Sequence, residues 1–280
     1  TVDIHADKER KSFSVSISEV PTAFERLRCP YCRAPIPEDY VFSEWVRAHK
    51  ELLSIALKGD TEEARKAVEK LLEIHVLLVK QIRGGFVACG KEDQDAFIRA
   101  FLRLASSSKE LKSFMPLDRI PEGNEVFKDV RAAGIERWYE LFNPRQLLVL
   151  AELVRYVNNR IRELIDEKGE YGAAIGIYLA LGISKLLNYN SIMSEWHASR
   201  GTIRDVIGHY ARGKKVGFGL DYCEARRIDL ALSWIFEPDV KKPTATQGGI
   251  LPILRQLLSL IHISEPTRPR LISYAVFCLK

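Results

Sequence analysis

The sequence predicts a mainly α fold with a small β part at its N-terminus. Apolar residues recur with helical spacing through much of the chain from Val41 onwards. Capping residues mark helix starts at Asp60 and at Asn143. Near the N-terminus, polar and apolar residues instead alternate from Ser12 to Ser18, which indicates a strand over residues 11–20.

The first helical region begins after a Pro-rich turn at residues 34–37. We expect one helix over residues 41–57. A second helix, strongly charged on one side, should start at Asp60, with Glu63 completing a capping box, and run to about Ile82. Gly84 and Gly85 break it, and helical spacing resumes over residues 92–106 before a Pro- and Gly-bearing connection over residues 106–134.

The second helical region starts at Asn143, because Asn caps free N–H groups and Pro144 fits the first turn. This helix should run to about Lys168 and end at Gly169. A second apolar helix over residues 171–189 carries small residues, which predicts a buried antiparallel helical hairpin. These small residues are Ala173, Ala174, Gly176, Ala180 and Gly182.

Three shorter elements should follow the hairpin. We expect a helix over residues 199–210, a basic glycine-rich loop over residues 213–219 and an apolar element over residues 229–236. The basic residues are Arg200, Arg204, Arg212, Lys214 and Lys215, with His209 and Tyr210 between them. They could contact phosphate, although a solvated face has the same composition.

Composition limits the class of protein. The net charge is +5, or +3 without residues 258–280, which is too mild to indicate nucleic acid by itself. No apolar run approaches the roughly 20 residues that span a bilayer, so we expect a soluble protein without membrane contact. Before residue 258 the cysteines are Cys29, Cys32, Cys89 and Cys223, and this small number suits a reducing cytoplasm.

Cys29 and Cys32 have the spacing that lets two thiolates reach one tetrahedral Zn²⁺ ion. A closed zinc site takes four ligands, so two more must come from Cys89, Cys223, a histidine or sequence before Thr1. We favour a half zinc ribbon whose first half lies upstream. A degenerate knuckle without metal and a redox CxxC are the alternatives.

Other chemical motifs are missing. His75 has only Glu73 close by on its helix, so we interpret it as a partly buried helix residue. The sequence has no GxGxxG or Walker pattern, HExxH motif, Ser/His/Asp arrangement or (Asp/Asn)-Pro-Pro-Tyr loop. It therefore predicts no catalytic and no cofactor-binding residue in this chain.

The C-terminal residues 258–280 are interpreted as translated sequencing adapter and not as native protein. Residues 258–268 (LSLIHISEPTR) back-translate without a mismatch to the transposase adapter of short-read libraries. Residues 272–279 (ISYAVFCL) back-translate to the flow-cell adapter. Such segments are excluded from fold reasoning. The chain also begins at Thr1 within a strand pattern, so we expect it to be an internal fragment.

Residues 134–148 (GIERWYELFNPRQLL) resemble the signature of large prokaryotic zinc-ribbon DNA methylases described as adenine-specific. The resemblance continues through residues 178–191 (YLALGISKLLNYNS), where the family has a similar helix ending in Tyr-Asn-Ser, and through residues 221–224 (DYCE). It also covers residues 29–37 (CPYCRAPIP), where the family usually has Gly in place of Arg33.

This resemblance implies S-adenosylmethionine-dependent methylation of an exocyclic base amine, in a parent protein with a larger α/β, Rossmann-like core. In such enzymes an (Asp/Asn)-Pro-Pro-Tyr loop receives a flipped-out base. The family has its cofactor-binding segment before the zinc ribbon and this loop after the position of residue 257. We therefore expect the fragment alone to be inactive.

The predicted organisation has four parts. They are a half zinc ribbon (1–40), a charged helical region with a linker (41–133), a helical block of the methylase (134–257) and the translated adapter (258–280). DNA is the expected partner. Asn143, Arg145 and Gln146 could reach nucleic acid, with capping and surface roles as the alternative. A zinc-dependent nucleic-acid-binding or assembly module without catalysis, and a helical scaffold with a decayed knuckle, are the competing functions.

Overall fold

The fold of this chain is taken from a computed structural model. The structure describes residues 2–4, 13–15, 31–32, 34–82, 85–123, 128–132, 134–187, 189–197, 202–204, 222–225, 235–236, 250–251 and 254. This part of the chain is mainly helical, which confirms the predicted class.

The helices of the described residues are named in chain order. They are α1 (Glu38–Lys58), α2 (Thr61–Lys66), α3 (Val68–Ile74), α4 (Lys91–Leu111), α5 (Lys128–Ala132), α6 (Pro144–Lys168) and α7 (Glu170–Leu187). Short 3-10 helices lie at Lys112–Phe114 and at Trp138–Leu141.

The strands form two-stranded antiparallel hairpins. β1 (Val2–Ile4) pairs with β2 (Phe13–Val15), β3 (Val79–Ile82) with β4 (Gly85–Ala88), and β5 (Glu195–His197) with β6 (Thr202–Arg204). β2 lies inside the strand predicted over residues 11–20.

The hydrophobic core lies where α4 packs between α1 and α6. Leu52 of α1, Phe97 and Phe101 of α4, and Leu147 of α6 are completely buried. Burying each such side chain contributes about 1.5–3 kcal/mol. Because these residues lie on both sides of residue 134, the two predicted helical regions share one core.

The predicted second helix is too long. Asp60 caps α2 as expected, because its carboxylate accepts hydrogen bonds from the N–H groups of Glu62 (2.9 Å) and Glu63 (3.1 Å). The helical path ends at Ile74, however, and β3 follows at Val79. The run from residue 76 to residue 82 is rich in β-branched and large apolar residues, which favour an extended backbone once a partner strand is available.

The predicted helix over residues 199–210 is also wrong where the structure describes it. Residues 202–204 form β6, and Ile203 lies opposite Trp196 of β5. An aromatic residue opposite a β-branched residue is a favourable cross-strand pair. Pairing with another strand therefore determined the structure of residues 202–204, which helical spacing alone left ambiguous.

The helical hairpin of α6 and α7 forms as predicted and is antiparallel. Gly169 ends α6 with a φ of +56°, in the left-handed region that favours glycine. Gly172 faces Leu164, and Gly176 faces Ile161 one turn further along each helix. The small residues thus allow the close approach that the sequence indicates.

The predicted burial of this hairpin is wrong for α7. Its buried residues are Gly172, Gly176, Gly182 and Leu186, whereas Tyr171 and Leu181 are exposed. By length and composition alone, α7 could cross a membrane, a test that core helices of soluble proteins also pass. The helix packs one small-residue face on α6 and leaves the rest of its surface less covered.

Gly172→Ala is expected to destabilise the hairpin of α6 and α7. A Cβ at this position would lie 1.9 Å from the Leu164 carbonyl oxygen, so the helices would have to separate. Overpacking of this kind costs about 1–3 kcal/mol, which urea denaturation followed by circular dichroism should detect as a lower free energy of unfolding. Gly85→Ala is the matched control, because nothing lies within 4 Å of a Cβ there. Equal stability of the two variants would contradict this packing.

Candidate functional site

A buried polar network connects α1 and α3 to the start of α6 and to the segment 222–225. Its members are His49, His75, Asn143, Arg145, Tyr222 and Glu224. His49, His75 and Asn143 are each no more than 2% exposed. Polar groups buried to this degree must find hydrogen-bond partners inside the protein.

The hydrogen-bond directions through the two imidazoles follow from one fixed acceptor. His49 Nε2 lies 2.9 Å from the Glu140 carbonyl oxygen, which can only accept, so this nitrogen carries a proton. In a neutral ring, His49 Nδ1 then accepts from His75 Nε2, 3.2 Å away. His75 Nδ1 in turn accepts from the Tyr222 hydroxyl at 2.9 Å.

The 3-10 helix at Trp138–Leu141 holds the Glu140 carbonyl in place. The Glu140 carboxylate accepts hydrogen bonds from the N–H groups of Glu136 (2.7 Å) and Arg137 (3.1 Å). Lys50 Nζ lies 3.8 Å from the same carboxylate. Residue 140 thus caps its own helix with its side chain while its carbonyl fixes the tautomer of His49.

Asn143 uses all of its side-chain amide. Its Oδ1 accepts from the Gln146 N–H at 2.9 Å, and its Nδ2 donates to the Tyr222 hydroxyl at 2.9 Å and to Glu224 Oε1. The Asn143 N–H donates back to Gln146 Oε1 at 3.0 Å, which completes a capping box. The predicted start of α6 is therefore confirmed, and the same residue joins α6 to the segment 222–225.

Arg145 and Glu224 close this end of the network. Arg145 Nε donates to Glu224 Oε2 at 2.6 Å, and a second guanidinium nitrogen contacts the same oxygen. The guanidinium also lies 4.9 Å from the centre of the Phe97 ring. A carboxylate at the start of α6 is further stabilised by the positive end of the helix dipole.

The rest of the segment 222–225 is held by hydrogen bonds to residues 190–194. The Cys223 N–H donates to the Ser194 carbonyl oxygen at 2.9 Å, and the single hydrogen of Ser194 Oγ is shared between the carbonyl oxygens of Cys223 (2.6 Å) and Ser191 (2.5 Å). The Ala225 N–H donates to Asn190 Oδ1 at 3.2 Å, and Gln146 Nε2 reaches the same oxygen at 3.4 Å. The segment is thus held along its length.

Aromatic rings surround the two histidines. The Trp45 ring stacks on His49 with centroids 5.1 Å apart, and its Nε1 donates to the Ile74 carbonyl oxygen at 2.9 Å. Phe97 meets His75 edge-on at 5.8 Å. These rings exclude water from the imidazoles and so favour their neutral forms.

Burial shifts the ionisation of this site in a consistent direction. It lowers the pKa of His49 to about 4, a shift that the hydrogen bond to the Glu140 carbonyl partly opposes. Burial also lowers the pKa of His75 well below its usual value, and the proximity of His49 adds to that shift. The pKa of Tyr222 is raised, first by burial and then by the charge of Glu224. All three groups are therefore neutral at physiological pH.

The structure places the predicted nucleic-acid contacts unevenly. Asn143 and Gln146 are 1% exposed and act as capping partners, while Arg145 is paired with Glu224. Arg204 lies in β6. Arg200, Lys214 and Lys215 lie outside the described residues. Nucleic-acid contact by this set stays a prediction.

The zinc knuckle is described only in part. Cys29 lies outside the described residues, and Cys32 is an exposed free thiol. Within the described ranges, no group of three or more His, Cys, Asp and Glu side chains could hold a metal ion. A four-ligand zinc site is thus not assembled from these residues alone.

Sequence reasoning missed the centre of the site. His75, predicted to be a partly buried helix residue, is 2% exposed, follows the last residue of α3 and lies against His49, which no sequence pattern singled out. Tyr222 and Glu224 stand out in the sequence only as part of the string at residues 221–224 that resembles the methylases. The one local signal was the polar pair of Asn143 and Gln146 beside a Pro, which predicts a cap and not a network.

Comparison of the chain with protein-family models, with curated proteins and with solved structures finds no match.

Acidification is expected to destabilise the fold through the histidine pair. The pKa of His49 is about 4 in the folded protein, against an ordinary value of 6.5. The unfolded state thus binds more protons between these values, so stability is complete above about pH 6.5 and is lost as the pH falls. For His49 alone this amounts to on the order of 3 kcal/mol, and His75 acts in the same direction.

His49→Gln provides the comparison for this pH dependence. The variant should be less stable than the unmodified chain at about pH 7.5, but its free energy of unfolding should fall less towards about pH 5.5 because one titrating group is gone. Urea denaturation at several pH values measures both effects. The same pH slope in both proteins would contradict a buried neutral His49.

Proposed function

We propose that this chain is part of an S-adenosylmethionine-dependent DNA methyltransferase that modifies the exocyclic amine of adenine. The chain would contribute a helical unit and half of a zinc ribbon to a parent protein with an α/β, Rossmann-like core. The catalytic loop and the cofactor-binding segment would lie elsewhere in that parent, which would act in the cytoplasm.

One observation carries the proposal: the separate strings that resemble the methylases meet at one site. Asn143, Arg145 and Gln146 belong to the first string, Asn190 to the second, and Tyr222 and Glu224 to the third. Asn143 bonds Tyr222 and Glu224 across 79 and 81 residues of sequence. Gln146 reaches Asn190 across 44 residues.

This convergence supports the resemblance for a physical reason. A chance likeness between short strings has no tendency to select side chains that contact one another in the fold. A shared buried network selects such side chains, because each buried donor needs its own acceptor and a substitution at one position leaves the other unpaired. The strings are therefore best interpreted as parts of one structural unit.

The network residues would act by positioning. They are paired among themselves, so within the described part of the chain they are suited to fixing the segment 222–225 against α6 rather than to binding substrate. Residues 205–221, which include Lys214 and Lys215, connect β6 to that segment. Phosphate contact is the proposed role of this basic connection.

Zinc and S-adenosylmethionine have different roles in the proposed parent protein. Cys29 and Cys32 would supply half of a structural zinc site, and two further ligands are needed. S-adenosylmethionine would supply the methyl group in the parent protein, and no residue of this chain is assigned to binding it.

The direct test is methyl transfer by the uninterrupted native reading frame. The gene is sequenced through both ends of the present frame, and the complete protein is incubated with labelled S-adenosylmethionine and unmethylated duplex DNA. We expect the native frame to contain an upstream CxxC and a downstream (Asp/Asn)-Pro-Pro-Tyr loop, and mass spectrometry of digested DNA to find methylated adenine. The present chain alone should transfer nothing.

Zinc content and DNA binding separate the alternatives. The double substitution Cys29→Ser with Cys32→Ser should remove zinc from the complete protein. Zinc and salt-dependent DNA binding without methyl transfer would favour a binding module. A protein that binds neither zinc nor DNA would be a helical scaffold. Either of these two outcomes would contradict the methyltransferase proposal.

A further inference from the structure

The segment 222–225 is held mostly by polar contacts. Tyr222 adds a ring contact, edge-on to Trp45 at 6.5 Å and to His75 at 6.1 Å. Its polar contacts include the hydrogen bonds of Tyr222 with His75 and Asn143, those of Cys223 and Ala225, and the ion pair of Glu224 with Arg145. A segment fixed in this way depends on the protonation state of its partners more than one fixed by apolar packing.

The number of protons on the histidine pair decides whether His75 can accept a hydrogen bond from Tyr222. Two neutral imidazoles share two protons, one on His49 Nε2 facing the Glu140 carbonyl and one between the rings. A third proton has one place left, His75 Nδ1, whichever ring carries the charge. That nitrogen now accepts from the Tyr222 hydroxyl, so protonation turns the acceptor into a second donor.

The Tyr222 hydroxyl cannot keep all of its hydrogen bonds after this reversal. Its oxygen already accepts from Asn143 Nδ2, so its own hydrogen would lose its acceptor at His75. A buried donor left without a partner costs about 1–3 kcal/mol. The added positive charge would also be buried among aromatic rings, where the charged form is disfavoured.

Nearby charges do not compensate for the added proton. On the histidine side, α1 contributes His49 and Trp45 and α4 contributes Phe97, none of which is an anion. On the segment side, Glu224 is paired with Arg145 from α6. The Glu140 carboxylate, from the 3-10 helix, bonds backbone N–H groups and lies near Lys50 of α1.

We propose that His49, His75 and Tyr222 form a protonation-sensitive latch. While both imidazoles are neutral, the latch holds the segment 222–225 on the helices. When the pair takes up a proton, the Tyr222 contact is lost and the segment is released while the helical core stays folded. Release exposes Arg145 and the start of α6, which Glu224 otherwise covers. This inference does not depend on methyl transfer.

Hydrogen exchange with mass spectrometry tests the latch. The N–H groups of Cys223 and Ala225 are reporters, because both donate to groups outside the segment. After correction for intrinsic exchange rates, their protection should fall about tenfold or more between about pH 7 and about pH 5. Protection of core residues such as Leu147 in α6 should fall less, and circular dichroism should report an intact helical fold.

Substitutions give the latch a specific signature. Tyr222→Phe should lower the protection of the segment at neutral pH and weaken its pH dependence, because no hydroxyl remains to sense His75. Tyr156→Phe is the matched control, since Tyr156 is 70% exposed on α6. His75→Gln should weaken the pH dependence of the protection, since an amide keeps a donor and an acceptor throughout and only His49 remains to titrate.

Two outcomes would overturn the latch. In the first, the segment keeps its protection at low pH while the protein is folded, or loses it only together with α6. In the second, His75→Gln keeps the full pH dependence of the unmodified chain. If Tyr222→Phe fails to fold, the comparison of His75→Gln with the unmodified chain decides alone.

Discussion

Asn143 is almost completely buried where α6 begins, so each polar atom of its amide needs a partner, and each one has it. Its oxygen caps α6, while its nitrogen reaches Tyr222 and Glu224 in a segment far along the chain. From Tyr222 the hydrogen bonds continue through His75 and His49 to the Glu140 carbonyl. One satisfied amide therefore links α6 and the segment 222–225 to the polar groups of α1 and α3.

The parts of this arrangement that local chemistry determines were predictable from the sequence. Asn143 with Pro144 predicts a helix start, Gly169 a helix end, and the small residues of α7 a close helix pair. Where pairing with a neighbouring strand decides, the helical spacing of a single stretch is misleading: the chain turns from helix to β3 after Ile74, and residues 202–204 pair with β5. His49 and His75 are separated by 26 residues, and Asn143 and Tyr222 by 79, so no periodicity brings them together.

The network also explains what the candidate site is suited to do. Its groups are neutral or paired, they are shielded by Trp45 and Phe97, and they bond mainly to one another. Buried groups with strongly shifted pKa values often mark functional sites, but structural networks shift them too. Here burial causes the shifts, in a network whose described contacts hold a segment in place, and this arrangement is suited to positioning rather than to a reaction.

The most direct test of the network is a double-mutant cycle on the hydrogen bond between Asn143 and Glu224, measured by urea denaturation. Asn143→Asp keeps the cap but removes both Nδ2 donors and places a second carboxylate beside Glu224. Glu224→Gln returns a donor to that pair. We predict that Asn143→Asp alone is strongly destabilising and that adding Glu224→Gln recovers part of the loss, with a coupling energy of about 1 kcal/mol or more. Effects that add within about 0.5 kcal/mol would show that the two side chains do not interact and would contradict the network.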